Sequence, residues 1–125
     1  MEITLNHTIV PSKNNVASAE FYEKIFSFEF IKEWGPFAVV KVNSTLTLLF
    51  DTRDKFSKNH YAFKVSDQQF NEIFERVKSR NISFGSGPYS SDDGKINHSY
   101  GGRGVYFKDP NGHSLEIITT DYEID

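Results

Sequence analysis

Asn59-His60-Tyr61-Ala62-Phe63-Lys64-Val65-Ser66-Asp67-Gln68-Gln69-Phe70-Asn71-Glu72-Ile73-Phe74-Glu75-Arg76-Val77 reads as a strand running into a helix. Residues 60–65 form the strand. Ser66, followed three residues later by Gln69, has the spacing of a capping box, which satisfies two backbone N–H groups at a helix start. Phe70, Ile73, Phe74 and Val77 then recur at i, i+3, i+4 and i+7, the stripe of an amphipathic helix. Asn81 sits where a left-handed C-cap belongs.

The same order occurs earlier in the chain. Residues 1–10 alternate apolar and polar, with Ile3, Leu5, His7 and Ile9 on one strand face. A helix is predicted over Asn15–Phe26, with Ala17, Phe21 and Ile25 inward and Tyr22 and Phe26 widening the stripe. Asn6-His7 matches Asn59-His60, and Phe21 and Phe74 each lie fourteen residues after their histidine. Three short strands follow in both halves. In the first they are Glu29–Trp34, 37–42 and 45–51, separated by Gly35-Pro36 and Asn43-Ser44. In the second they are 82–84, Gly104–Lys108 and 114–120. A polar, glycine-rich stretch, 85–102, precedes the last two, and Asp109-Pro110-Asn111-Gly112 turns between them.

The repeat predicts an α+β fold of two βαβββ modules, about 1–51 and 59–120, within one domain spanning residues 1–125. Each module has too few strands to bury both its helix and its own sheet edge. The two must pair, within one chain or with a second copy.

Composition narrows the function. The 125 residues suit one ordinary domain, and twelve Phe supply core or cavity lining. No cysteine is present, which removes disulfide scaffolds, zinc–thiolate sites and cysteine nucleophiles. A net charge of −3 with scattered basic residues gives no nucleic-acid footprint. No apolar run is long enough to span a membrane, and a cytoplasmic setting is the expectation.

His7 and His60 occupy equivalent places in the repeat, so a pseudo-twofold pairing of modules would bring them together. Glu116 lies mid-strand in the second module, sharing a face with Ser114 and Ile118 while Leu115 and Ile117 face the helix side. Each alone has an ordinary reading, a core histidine bonded to a carbonyl or a paired carboxylate. Together, two imidazoles and one carboxylate suit Fe(II), Mn(II), Zn(II), Ni(II) or Co(II) and leave positions open for substrate. The matching region of module one offers Leu48 and Leu49, so no fourth protein ligand is expected there.

These residues carry a resemblance to the vicinal oxygen chelate superfamily: glyoxalase I, extradiol dioxygenases, fosfomycin-resistance thiol transferases and bleomycin-binding proteins. It rests on Leu5-Asn6-His7 with Phe21-Tyr22-Glu23-Lys24-Ile25-Phe26, on His60-Tyr61-Ala62-Phe63-Lys64-Val65, and above all on Gly104-Val105-Tyr106-Phe107-Lys108-Asp109-Pro110-Asn111-Gly112-His113-Ser114-Leu115-Glu116. The resemblance implies a curved, barrel-like mixed sheet around a metal cavity, with His7, His60 and Glu116 as ligands. It also implies a small substrate bound through two adjacent oxygens, and a homodimer is the expected assembly. Ser27 departs from the family, where many members have Gly after the first helix.

The branch is less marked. Lys95-x-Asn97-x-Ser99-x-Gly101 looks like the phosphonate loop of the thiol transferases. Against that branch, Ile9 replaces a hydroxyl residue near the metal, and no Arg or Lys follows Glu116 in the acidic extension 119–125. Tyr106 and His98 resemble acid–base groups of the extradiol dioxygenases. Glyoxalase-type isomerases usually place another carboxylate or a Gln in the first shell, but position 7 here is His and module one offers no match to the extra acid. Arg103, between glycines, is read as an anchor for an anionic substrate group. The segment 87–103, with Lys95 as its other cation, is read as a mobile lid. Trp34, Phe37, Phe50 and Tyr100 are candidates for an aromatic pocket, and His113 is read as a solvated turn residue. The expectation is a metal-dependent enzyme of dioxygenase or thiol-transferase type. The alternative is a non-catalytic protein that sequesters an antibiotic or other small molecule.

Overall fold

A computed structural model describes residues 1–124; the last residue of the acidic extension, Asp125, lies outside the described residues. The elements are β1 (His7–Ser12), α1 (Asn15–Phe26), β2 (Glu29–Trp34), β3 (Phe37–Lys41), β4 (Thr47–Thr52), β5 (His60–Lys64), α2 (Asp67–Ser79), β6 (Phe84–Gly85), a short 3-10 turn at Ser99–Gly101, β7 (Gly104–Lys108) and β8 (Ser114–Ile118). The chain divides into two compact units, Met1–Ser57 and Lys58–Asp125.

Each unit is a βαβββ module with a mixed four-stranded sheet. The strand orders are β1-β4-β3-β2 and β5-β8-β7-β6, the same topology twice. In each, the strand before the helix pairs parallel to the last strand of its module, and the remaining pairs are antiparallel. The fold is α+β, as the repeat implies.

In the first unit, the Asn14 side chain caps α1 by accepting from the Ala17 N–H at 2.9 Å. The buried stripe of α1 is Ser18, Ala19, Tyr22, Ile25 and Phe26, with Ala17 exposed and Phe21 half-buried. Tyr22, Ile25 and Phe26 are inward as expected, while Ser18 and Ala19 take the inward place expected of Ala17, and Tyr22 rather than Phe21 fills the core. Tyr22 packs on Phe50 with ring centroids 4.8 Å apart. Strand β1 also starts later than expected. Residues 1–6 form no strand, and Ile3 and Leu5 are exposed. Apolar alternation there is not a ladder, since β4 begins opposite His7 and offers nothing earlier to pair with.

In the second unit the capping box of Ser66 and Gln69 is present in full. The helix ends as the sequence predicts, with Asn81 at φ 56°. The Ile82 N–H reaches the Val77 carbonyl at 3.1 Å and the Asn81 N–H reaches that of Lys78 at 3.0 Å. This is the double bond of a Schellman stop. Phe70, Ile73 and Val77 are buried beneath it.

The turn between β7 and β8 is built by Asp109. Its Oδ1 accepts the N–H groups of Asn111 and His113, both at 2.9 Å. His113 is completely buried, not solvated: its Nδ1 accepts the Asn59 N–H at 2.9 Å, and Tyr61 meets it edge-on. His113 has the parity of Leu115 and Ile117, both fully buried, so facing away from Glu116 means facing the core.

Candidate metal-binding site in the second unit

Strand alternation divides the second sheet into two faces. Tyr61, Phe63, Val105, Phe107, Leu115 and Ile117 share one. The other carries His60 and Ala62 on β5, Ser114 and Glu116 on β8, and Tyr106 on β7. The register sets Ala62 and Tyr106 directly beside Glu116 on its two sides, with His60 beside Ser114. Small Ala62 leaves room over β5, into which the His60 imidazole turns.

Glu116 is 1% exposed. A buried carboxylate needs a compensating charge or several donors. One oxygen, Oε1, lies 3.1 Å from His60 Nε2. The other ring nitrogen of His60, Nδ1, lies 3.0 Å from the Ser114 carbonyl oxygen. A carbonyl only accepts, so Nδ1 carries a hydrogen. A neutral imidazole of that tautomer has a bare lone pair on Nε2, aimed at a carboxylate oxygen that also only accepts. Two lone pairs therefore face each other unless a proton or a cation lies between them. A backbone carbonyl fixing Nδ1–H is the usual second-layer support for a histidine that binds metal through Nε2. The donor chemistry of His60 and Glu116 fits a divalent cation.

The remaining Glu116 oxygen, Oε2, accepts a short hydrogen bond from the Tyr122 hydroxyl. That hydroxyl has one hydrogen, already given, so at the 3.0 Å contact between Tyr106 and Tyr122 the donor is Tyr106. A directed chain results: Tyr106 O–H to Tyr122, and Tyr122 O–H to Glu116. Burial pushes both phenols above their ordinary range, and the Glu116 carboxylate raises them further. Both remain donors at neutral pH. The His60 ring stacks on Tyr106 at 5.9 Å, and Tyr100 lies 4.7 Å from Tyr122. Sequence reasoning missed Tyr122. The only signal was an aromatic residue in an otherwise acidic extension.

The first unit provides the counterpart positions. His7 pairs with Thr47 as His60 pairs with Ser114, so the register makes Leu49 the counterpart of Glu116 and Val39 that of Tyr106. His7 is exposed, its Nδ1 2.7 Å from Asn6 Oδ1. Among the described residues, no three His, Cys, Asp or Glu side chains gather into one group. His60 and Glu116 lie together in the second unit, and His7 belongs to the first.

Other candidates have different surroundings. Arg103 bonds to α2, not to the Glu116 face. Its guanidinium reaches Asn71 Oδ1 at 2.7 Å and Asp67 Oδ1 at 3.0 Å, above the Phe70 ring. Lys95 and His98 are exposed. The stretch from 85 to 103 is pinned by backbone and side-chain bonds. Asn97 and Gly104 exchange two backbone bonds at 2.9 Å, and Asp93 accepts from Ser86 and Lys95. Phe50 is wholly buried against Tyr22, a core residue of the first unit. Trp34 is exposed beside Phe37 at the β2–β3 turn.

Two modules of this topology, one carrying a histidine–carboxylate pair across its parallel strands, define a family. Residues 4–117 match the model of the Glyoxalase/Bleomycin resistance protein/Dioxygenase superfamily, and the chain belongs to it. Among solved structures it is similar to Oxidase ChaP-H2, at 41% identity and TM-score 0.92, covering 98% of this chain and 97% of that one. Oxidase ChaP-H1 is similar at 42% identity and TM-score 0.91, covering 98% and 99%. Metallothiol transferase FosB of Lysinibacillus sphaericus (strain C3-41) is 23% identical over 122 residues, 93% of this chain and 82% of that protein. Among the described residues no helix is long and apolar enough to cross a membrane.

Proposed function

We propose that the chain is a metal-dependent enzyme of the oxidase or dioxygenase type, acting on a small substrate that presents two adjacent oxygens to a divalent cation. The observation that carries this reading is the His60–Glu116 pair: with Nδ1 committed to Ser114, its facing lone pairs need a proton or a cation between them, and a divalent cation satisfies both. His7 completes a set of two imidazoles and one carboxylate, a donor set of Fe(II) oxygenases that leaves positions open. Similarity to two oxidases at 41% and 42% identity favours oxygen chemistry over thiol transfer. Bound there, the cation supplies Lewis acidity and a template for both substrate oxygens. The chain's own residues would hold that cation, and Tyr106 stands beside Glu116 as a proton donor. The exposed apolar side chains Ile3, Leu5 and Ile9 near His7 support pairing of the first unit with a second one, in a homodimer.

Metal analysis of protein purified without added metal tests the first part. One divalent ion per chain is expected, and His7→Ala, His60→Ala or Glu116→Ala should each abolish tight binding. A substitution that leaves affinity and stoichiometry unchanged removes its residue from the shell. Oxygen uptake by the Fe(II) or Mn(II) protein with catechols tests the second, and Tyr106→Phe should slow it. Thiol transfer is a second reading, favoured by the similarity to FosB along 93% of the chain. Consumption of a thiol and an epoxide without oxygen uptake would establish it. Tight binding of a large aromatic drug with no turnover of either kind would point to sequestration.

A further inference from the structure

We propose that Tyr122 is a positioning residue of the metal site: by holding Glu116 through Oε2, it leaves Oε1 alone to face His60 Nε2 and the cation. The inference rests on the metal reading above. A carboxylate with both oxygens free engages a cation through one or both of them. On a six-coordinate cation with two imidazoles, taking both leaves two open positions instead of three, enough for the two substrate oxygens but with none for a further ligand such as oxygen or water.

The geometry divides the two oxygens of Glu116. Oε1 faces His60 at 3.1 Å, while Oε2 is occupied by the Tyr122 hydroxyl. Tyr122 is itself oriented, because its oxygen accepts from Tyr106 at 3.0 Å and its ring lies 4.7 Å from that of Tyr100.

The extension after β8 is built to deliver this residue. The Thr119 N–H bonds to the Arg103 carbonyl at 3.1 Å, and the Arg103 N–H bonds back to Thr119 Oγ1 at 2.9 Å. Gly102 makes room for the crossing, since a Cβ there would come within 2.6 Å of the hydroxyls of Thr119 and Thr120. Asp121 is tied to Lys64 of β5 at 3.0 Å. The extension is therefore fastened to Arg103, just before β7, and to β5, immediately before Tyr122.

The test compares wild type, Tyr122→Phe and Tyr122→Ala for Mn(II) affinity and for the number of exchangeable waters on bound Mn(II), read by water-proton relaxation. Loss of an outer partner of a metal ligand typically weakens binding by about 10–100-fold, and that loss is expected for both variants. Fewer exchangeable waters are also expected, because the released carboxylate turns to give both oxygens. A purely structural role for the extension would lower the thermal midpoint of the metal-free protein without changing the water count. Unchanged affinity and water count in both variants, with wild type binding Mn(II), overturn the proposal and leave the metal reading standing. Tighter binding in either variant with an unchanged water count also overturns it, by making Tyr122 a plug. If wild type itself binds no divalent ion, the metal reading fails, and this inference with it.

Discussion

Ser27 closes α1 at φ 62° and ψ 28°, with its N–H on the Glu23 carbonyl at 2.9 Å. A side chain in that left-handed region costs about 1–2 kcal/mol, and glycine avoids the cost but loses more chain entropy on folding. Ser27→Gly should therefore raise stability by a net amount of about 0.5–1 kcal/mol, seen as a higher urea midpoint with unchanged slope. Ser27→Val should lower it. A midpoint unmoved by both would mean that the helix end relaxes freely. His113 behaves oppositely, since it has no strain but many dependants. His113→Ala leaves a void in the core and deprives the Asn59 N–H of its acceptor, for a loss of about 2–4 kcal/mol. The sequence held the sign of this residue in its parity with Leu115 and Ile117. Its place next to a Pro-Asn-Gly turn obscured that parity, because turns are usually wet.

At the scale of elements, Ser66 with Gln69 and the apolar stripe of α2 were legible because their partners lie within one helix turn. The start of β1 was not, because a strand exists only where another strand pairs with it. The segment between β6 and β7 shows the same limit. Its polar, glycine-rich composition suggests mobility, yet Asp93 gathers three donors: the Ser86 N–H and hydroxyl at 3.0 and 2.5 Å, and the Lys95 N–H at 2.9 Å. The Ser86 hydroxyl, with backbone donors behind it, holds the Asp93 carboxyl below its ordinary range. A depressed carboxyl contributes to order above its unfolded pKa of about 3.9, and that contribution fades as pH falls through the lower folded value. Amide exchange at Ser86 and Lys95, corrected for the intrinsic pH effect, should therefore accelerate in acid below that window. Asp93→Asn should show the faster exchange already at neutral pH. Equal protection in the variant would assign the order of this segment to the Asn97–Gly104 bridge instead.

At the scale of the whole molecule, the repeat foretold two modules of one topology, and both sheets have it; the chain divides into two compact units between residues 57 and 58. His60 and Glu116, both candidates from the sequence, lie together on adjacent parallel strands. What the sequence states only as a requirement is the partner of each unit, because pairing between modules depends on surfaces rather than on periodicity. The assembly proposed above makes a sharp prediction here. Suppose His7 of one chain completes the shell of His60 and Glu116 in another. A heterodimer of a His7→Ala chain with a Glu116→Ala chain then holds one doubly damaged site and one intact site. In a closed twofold dimer, equal mixing with full subunit exchange makes half the dimers mixed, so about one site in four should regain tight metal binding. If the modules pair within a single chain, every site carries one lesion and mixing restores none. Metal content measured before and after exchange separates the two cases, and each variant alone provides the baseline. Restoration near that fraction, together with a dimeric mass in solution, establishes sites shared between subunits. No restoration despite proven exchange assigns each site to one chain.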